Sequence, residues 1–326
     1  MRRREFISLL GAATATWPHT AFGQQSTTPV VGYLYPGSPE TSAHRVAAFR
    51  KGLGETGFSE GQNVTFEFRW ADSDDRLREF AADLANHHVA AIAAPGSTPA
   101  ALAAKAVTST IPIVFGIGSD PIKEGLVTSF NRPGGNVTGI TWLTGAIGSK
   151  QIGLLHELLP QAKRIAALIN PNNPLFEVFK PDLRTAASKM DIQVEYLTAS
   201  TSRDIEAAFL NLARSAADGL VVGPDALFNA RRVQIVTLAG HQRLPAIYPS
   251  RDYVEIGGLA SYGANLEDAI RQVGVYTGRI LKGEKPADLP VLQTTKLEFL
   301  ISLVTAKSLG LTIPPGVLAI ADEVIE

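Results

Sequence analysis

Six short apolar runs punctuate the chain, and each stops at a cluster of small polar or turn-forming residues. Residues 30–34 run into Tyr35-Pro36-Gly37-Ser38, residues 89–93 into Ala94-Pro95-Gly96-Ser97-Thr98, and residues 113–115 into Gly116-Ile117-Gly118-Ser119-Asp120-Pro121. Residues 165–169 meet Asn170-Pro171-Asn172-Asn173-Pro174, residues 219–222 meet Gly223-Pro224-Asp225, and residues 246–248 meet Pro249-Ser250-Arg251-Asp252. Strands covered by helices on both faces read as near-continuous apolar runs rather than alternating ones. In open α/β sheets, ligands bind at the loops that follow the carboxyl ends of such strands. The pattern therefore predicts both a fold and the edge on which it acts.

Between the runs the period changes to that of a helix. Val46, Phe49 and Leu53 share one face of a helix over 42–56, which Gly57 ends. Residues 64–70 alternate Val64, Phe66 and Phe68 with Thr65, Glu67 and Arg69, the signature of an edge or half-exposed strand. A helix over 75–85 follows, and an Ala-rich helix over 100–107 has Thr98 as its N-cap and Pro99 at its first position. Residues 125–130 read as a short helix, and 137–142 as an extended first crossing into a second lobe.

The rhythm then repeats. Helices are expected at 148–159, 176–190, 203–215 and 229–241, with strands at 165–169, 193–197, 220–222 and near Ile247. A helix over 266–281, a linker over 286–290, an extended stretch over 292–299 and a helix over 301–309 complete the chain. The fold class expected is α/β, two doubly wound parallel-sheet lobes joined by a multi-strand hinge. Residues 24–142 plus about 262–287 would form the first lobe, and 143–261 plus about 288–326 the second.

Composition narrows the function. The 326 residues carry a formal net charge of -1, without the basic face that a nucleic-acid partner requires. There is no cysteine, which excludes disulfides, thiolate zinc sites, cysteine nucleophiles and a lipid-modified cysteine. Residues 1–23 have the parts of an export signal: Arg2-Arg3-Arg4, a short apolar stretch from Phe6 to Ala15, and small residues at Ala21 and Gly23. Cleavage is expected before Gln24. Arg3-Arg4-Glu5-Phe6-Ile7 also fits the twin-arginine pattern, with the general secretion route as the alternative. The apolar stretch is far below the roughly 20 residues that span a bilayer. The mature chain is expected to be periplasmic, a monomer, and without direct membrane insertion.

Enzyme motifs fail one by one. His156-Glu157-Leu158-Leu159-Pro160 begins like a zinc-protease helix, but Pro160 stands where the second histidine belongs. Gly116-Ile117-Gly118-Ser119-Asp120-Pro121 begins like a dinucleotide fingerprint and ends on proline instead of glycine. Neither a G-x-S-x-G elbow nor a P-loop occurs. No cofactor is expected.

Several stretches resemble ABC-transporter substrate-binding proteins of the type I periplasmic-binding-protein fold, in the branch grouped with tryptophan/tyrosine uptake proteins. They include Ala94-Pro95-Gly96-Ser97-Thr98-Pro99-Ala100, Asn131-Arg132-Pro133-Gly134-Gly135-Asn136-Val137-Thr138-Gly139 and Asn170-Pro171-Asn172-Asn173-Pro174. Gly257-Gly258-Leu259-Ala260-Ser261-Tyr262-Gly263 and Ala306-Lys307-Ser308-Leu309-Gly310-Leu311-Thr312-Ile313-Pro314 extend the match to the end of the chain. The resemblance implies a clamshell that closes on a small-molecule solute and docks on a membrane permease.

Candidate ligand-binding residues follow from the strand-end loops. Gly96, Ser97 and Thr98 precede a helix start, where free N–H groups and the helix dipole favour an anion; a plain N-cap is the alternative. Gly118 and Ser119 let backbone approach a ligand, and Asp120 either accepts from a ligand amine or hydroxyl or caps the next turn. Asn170, Asn172 and Asn173 supply donors and acceptors, or serve the turn locally. Ser38, Asp225 and Ser250 end other strands. Tyr248 and Tyr262, the latter at the expected hinge, either present rings to a ligand or pack in the core. Trp142 reads as core or hinge packing.

The function expected is a non-catalytic receptor of an ABC importer for an amino-acid-like or aromatic carboxylate solute. A ligand sensor signalling to a membrane receptor would have the same fold, and a secreted α/β enzyme is the third reading.

Overall fold

The computed structural model describes residues 28–142 and 147–326. The expected export signal, its cleavage point before Gln24 and the twin-arginine motif lie outside the described residues. The first part of the chain forms β1 (Val30–Pro36), α1 (Pro39–Glu55), β2 (Thr65–Ala71), α2 (Asp74–Asn86) and β3 (Ala91–Pro95). It continues through α3 (Thr98–Val107), β4 (Ile113–Ile117) and β5 (Val137–Thr141). Next come α4 (Gly148–Leu158), β6 (Arg164–Ile169), α5 (Phe176–Lys189), β7 (Gln193–Thr198), α6 (Ser202–Leu212) and β8 (Gly219–Val222). Then follow α7 (Ala226–Ala230), α8 (Arg232–His241), β9 (Ala246–Tyr248), α9 (Arg251–Val254) and β10 (Ala260–Ala264). The last elements are α10 (Leu266–Leu281), β11 (Leu292–Gln293), β12 (Leu297–Ser302), α11 (Leu303–Ser308), α12 (Pro315–Ile320) and β13 (Glu323–Ile325).

Two sheets result. The first has the order β11-β5-β4-β3-β1-β2 and is parallel throughout. The second has the order β13-β12-β10-β9-β8-β6-β7, and only β10 against β12 is antiparallel. β3 and β4 are buried along their whole length, as their unbroken apolar runs require. In β2, at the edge, Phe66, Phe68 and Trp70 stay half-buried.

The chain passes between the sheets after β5, after β10 and after β11. Thr294 N–H donates to the Thr141 carbonyl at 2.8 Å, and Asn265 Nδ2 donates to Glu298 Oε2 at 3.2 Å, so the crossing segments run side by side. The crossings fall a few residues from where the apolar pattern put them. Residues 262–264 pair with β12 in the second sheet, Tyr262 opposite Phe299. Leu292 pairs with Ile140 in the first sheet. Periodicity identifies a strand but not the sheet it joins, and this is why a single extended stretch over 292–299 resolves into β11 and β12 on different sheets.

Two local expectations are corrected. Residues 125–130 form no helix. The helical turn begins earlier, at Asp120, whose Oδ1 accepts from Ile122 N–H at 2.9 Å, and it stops at Gly125 with φ 67°. The cap of α3 is Ser97 rather than Thr98: Ser97 is extended and its side chain accepts from Ala100 N–H at 3.2 Å.

Among the described residues no helix is long and apolar enough to cross a membrane.

Candidate functional site

The carboxyl ends of the strands in the two sheets face each other across a cavity of about 40 Å³. That volume is enough for a few water molecules and too small for an organic solute of amino-acid size. One wall comes from the first sheet: Gly96, Ser97 and Thr98 after β3, Gly118 after β4, Trp142 after β5, and Arg45 from α1. The facing wall carries Asn173 after β6 and Asp225 and Asn229 after β8. Ala264 and Leu266, either side of the second crossing, complete the lining.

The first wall is a helix start. Ala100 and Ala101 N–H donate to the Ser97 side chain and carbonyl, and Pro99 carries no N–H. The Thr98 N–H is therefore the donor left in the first turn of α3, at the positive end of the helix. Gly96 adopts φ 101°, and a Cβ there would stand 3.0 Å from the Tyr35 ring. A larger residue would push this loop away from Arg45 and Tyr35. Thr98 Oγ1 and Ser119 Oγ share a hydrogen bond of 3.0 Å, which fixes the Thr98 rotamer from behind.

The second wall is acidic. Asp225 is 7% exposed and caps α7, its Oδ1 accepting from Phe228 N–H at 3.1 Å. Its Oδ2 accepts from Asn173 Nδ2 at 2.8 Å and from Asn170 Nδ2 at 3.1 Å. Among the described residues no lysine, arginine or histidine pairs with it. Burial pushes its carboxyl above the usual range, and the hydrogen bonds from Asn173, the Phe228 backbone and Asn170 pull the other way. Asn229 is buried beside it, with Oδ1 lacking any partner. A buried carboxylate without a counter-ion and an unsatisfied acceptor are the groups that a cationic N–H ligand would satisfy.

Of the residues expected from sequence, Gly96, Ser97, Thr98, Gly118, Asn173 and Asp225 meet at this cavity. Ser119 and Asn170 stand directly behind it, bonded to Thr98 and Asp225. The others serve the fold. Ser38 and Thr41 form the capping box of α1. Asp120 holds its own turn, and Asn172 is exposed and donates its N–H to Asn170 Oδ1 at 3.0 Å. Tyr248 is buried with its ring stacked on Tyr253 at 4.8 Å. Ser250 stands at the start of α9 without a side-chain cap bond, its buried hydroxyl unpartnered, and Tyr262 packs on the core of the second sheet. Strand side chains stand off the faces of a sheet, not off its end, so Tyr248 and Tyr262 point into packing.

Arg45, Asn229 and Trp142 line the cavity without having been expected as binding residues. Arg45 sits within a helix face whose apolar members are Val46, Phe49 and Leu53, and nothing in the spacing marks it as 3% exposed. Asn229 was placed only at a helix start. Trp142, read as packing, lines the cavity at 7% exposed.

A family model described as ABC transporter substrate binding protein matches residues 38–325. The chain belongs to that family. A tyrosine-binding protein of Clostridioides difficile (strain R20291) is 28% identical over 263 residues, covering 81% of this chain and 75% of that protein. Among solved structures, the ABC domain in complex with L-Trp from Streptococcus pneumonia is 26% identical, with TM-score 0.81 over 92% of this chain and 100% of its own. A ligand-free, open substrate binding protein with adhesive properties from Clostridium difficile is 27% identical, with TM-score 0.60 over 91% of this chain and 99% of its own. At nearly equal identity, this substrate-binding protein superposes better on the tryptophan complex than on the open form. The fold is that of type I periplasmic binding proteins.

Proposed function

We propose that this substrate-binding protein captures an amino-acid-like solute in the cleft between its lobes and passes it, unaltered, to a membrane permease of an ABC importer. The observation that carries the reading is the opposition of two unlike walls. Thr98, whose N–H is the donor left at the start of α3, and Asp225, a buried carboxyl with no cation of its own, line the same cleft from different lobes. A solute with a carboxylate at one end and an ammonium at the other satisfies both, and exclusion of water on closure strengthens each contact. The tyrosine and tryptophan bound by relatives have those two ends. The protein acts on the periplasmic side, exported by its first 23 residues.

The test is a thermal-shift screen of the purified protein against the L-amino acids, each hit being compared with its decarboxylated and deaminated analogues. A specific solute raises the melting temperature by mass action. The reading expects the amino acid alone to do so. Equal shifts from an analogue lacking either end would refute it, as would chemical change of the solute during incubation.

A further inference from the structure

Arg45 is placed to do more than line the cleft. Its Nη1 donates to the hydroxyl of the buried Tyr35 at 3.1 Å, and its Nη2 donates to Asp252 Oδ2 at 2.7 Å. Tyr35 and Arg45 belong to the first lobe, on β1 and α1, whereas Asp252 lies on α9 of the second. His44, the neighbour of Arg45 on α1, also reaches Asp252 Oδ2, at 3.2 Å. A guanidinium has five N–H donors in a fixed fork, and these contacts use only two of them. Arg45 remains part of the cavity lining and is 3% exposed. A second tie crosses nearby, where Arg232 Nη1 of α8 donates to the Thr41 carbonyl of α1 at 2.8 Å. Close approach at this lip is also visible at Gly37, where a Cβ would stand 2.9 Å from the Ala230 side chain.

We propose that Arg45 is a positioning residue that couples the solute to lobe closure: one part of its guanidinium faces the cleft while another is pinned to Asp252 of the opposite lobe. The proposal rests on the amino-acid reading above and assigns the fork a place next to the α3 start, on the anion side of the solute. Gly96 brings the two together, since a Cβ at that position would be 3.7 Å from Arg45 Nη1. Tyr35 holds the guanidinium plane, so an oxygen arriving in the cleft finds donors already oriented. Closing the lobes brings Asp252 to the far side of the same group, out of water, where a charge-assisted bond is strongest. Solute and closure are therefore linked through one rigid side chain rather than through separate contacts.

The absence of cysteine allows clean labelling at two introduced sites, Glu79→Cys on α2 and Lys189→Cys on α5. Distances between spin labels at these sites are measured with and without the amino acid that shifts the melting temperature most, and affinity is measured by calorimetry. Asp252 is not itself part of the cavity lining, so Asp252→Asn reaches the cleft through its bond to Arg45. The substitution is expected to shift the distribution toward long distances and to weaken that amino acid by about tenfold, the loss typical of one hydrogen bond to a charged group. Arg45→Lys, which keeps the charge and loses the fork, is expected to weaken the solute by at least as much. The surface control Glu284→Gln, whose partner Arg279 belongs to the same lobe, should change neither. Unchanged distances in Asp252→Asn would overturn the proposal, as would wild-type affinity in Arg45→Lys. If no amino acid binds, the functional reading fails; the distances in unliganded wild type and Asp252→Asn still decide whether the pair holds the lobes together.

Discussion

Asn173 donates Nδ2 to Asp225 Oδ2 at 2.8 Å, tying the loop after β6 to the loop after β8 on one wall of the cleft. The bond favours the ionised carboxyl, whereas burial favours the neutral one. Burial is nevertheless the larger influence, and the Asp225 carboxyl stands above its usual range. The sign then follows. The folded protein takes up this proton at a higher pH than the unfolded chain, so its contribution to stability is present in acid and lost as pH rises through the folded value. Solute binding runs the other way, because the protonated acid offers no counter-charge to an ammonium. Calorimetric titrations should show affinity falling on acidification before ordinary exposed aspartates protonate. An affinity flat through that range would remove Asp225 from the binding step.

Asp225→Asn should separate charge from cap. The amide oxygen can still accept from Phe228 N–H, but its NH₂ then faces the donors of Asn173 and Asn170. A cost of about 1–3 kcal/mol in denaturant unfolding is expected from donors left unpaired, together with loss of amino-acid binding at every pH.

Ser97→Ala removes the N-cap of α3, where Ser97 Oγ accepts from Ala100 N–H. About 1 kcal/mol of stability should be lost. Thr98→Val keeps the shape and loses only the bond to Ser119. It should leave stability closer to wild type while lowering solute affinity. If Thr98→Val binds as wild type does, the hydroxyl is structural and only the backbone N–H faces the solute.

The strands and the loops after them were legible in the sequence because burial on both faces leaves an unbroken apolar run. Gly96, Ser97, Thr98 and Asp225 lie in those loops, and for Ser97 and Thr98 the family resemblance added to the signal. Arg45 was not legible, because it reaches the cleft sideways from a helix, and its burial depends on a second lobe that local spacing does not encode. For Tyr248 and Tyr262 the sequence left two readings open, a ligand platform or core packing. An aromatic near a strand end suggests a ligand platform, but the pleat turns both rings into packing, Tyr248 against Tyr253. The crossings were displaced for a related reason: whether residues 262–264 pair with the first or second sheet is settled by β12, which comes more than thirty residues later.

Trp142 gives the cleft an optical report. It lines the cavity beside Gly116, where a Cβ would stand 3.3 Å from its ring. Trp70, on β2, stacks on Phe68 at 5.7 Å and does not line the cavity. Solute titration should change the tryptophan emission, Trp142→Phe should abolish the change, and Trp70→Phe should preserve it. Retention of the signal in Trp142→Phe would place the optical change outside the cleft.

Two glycine-to-alanine substitutions in helices should have opposite signs. α10 returns to the first lobe after the second crossing and packs along α1, the helix that carries Arg45. At Gly274 a Cβ would collide with the Phe49 carbonyl and come within 2.8 Å of the Leu53 backbone nitrogen. Backbone cannot rotate away as a side chain can, so the helices must separate. Overpacking of this kind costs about 1–3 kcal/mol, more than the helix propensity of up to about 1 kcal/mol that alanine supplies. Gly153, inside α4, has nothing within 4 Å of its ideal Cβ. Gly153→Ala therefore keeps the propensity gain without the clash. Thermal melts should place Gly274→Ala below wild type and Gly153→Ala above it. Spin labels on the two lobes should also report a wider spread of distances in Gly274→Ala, because a displaced α1 carries Arg45 away from Asp252. A Gly274→Ala protein as stable as wild type would mean that α1 and α10 are not packed as closely as the backbone contacts require.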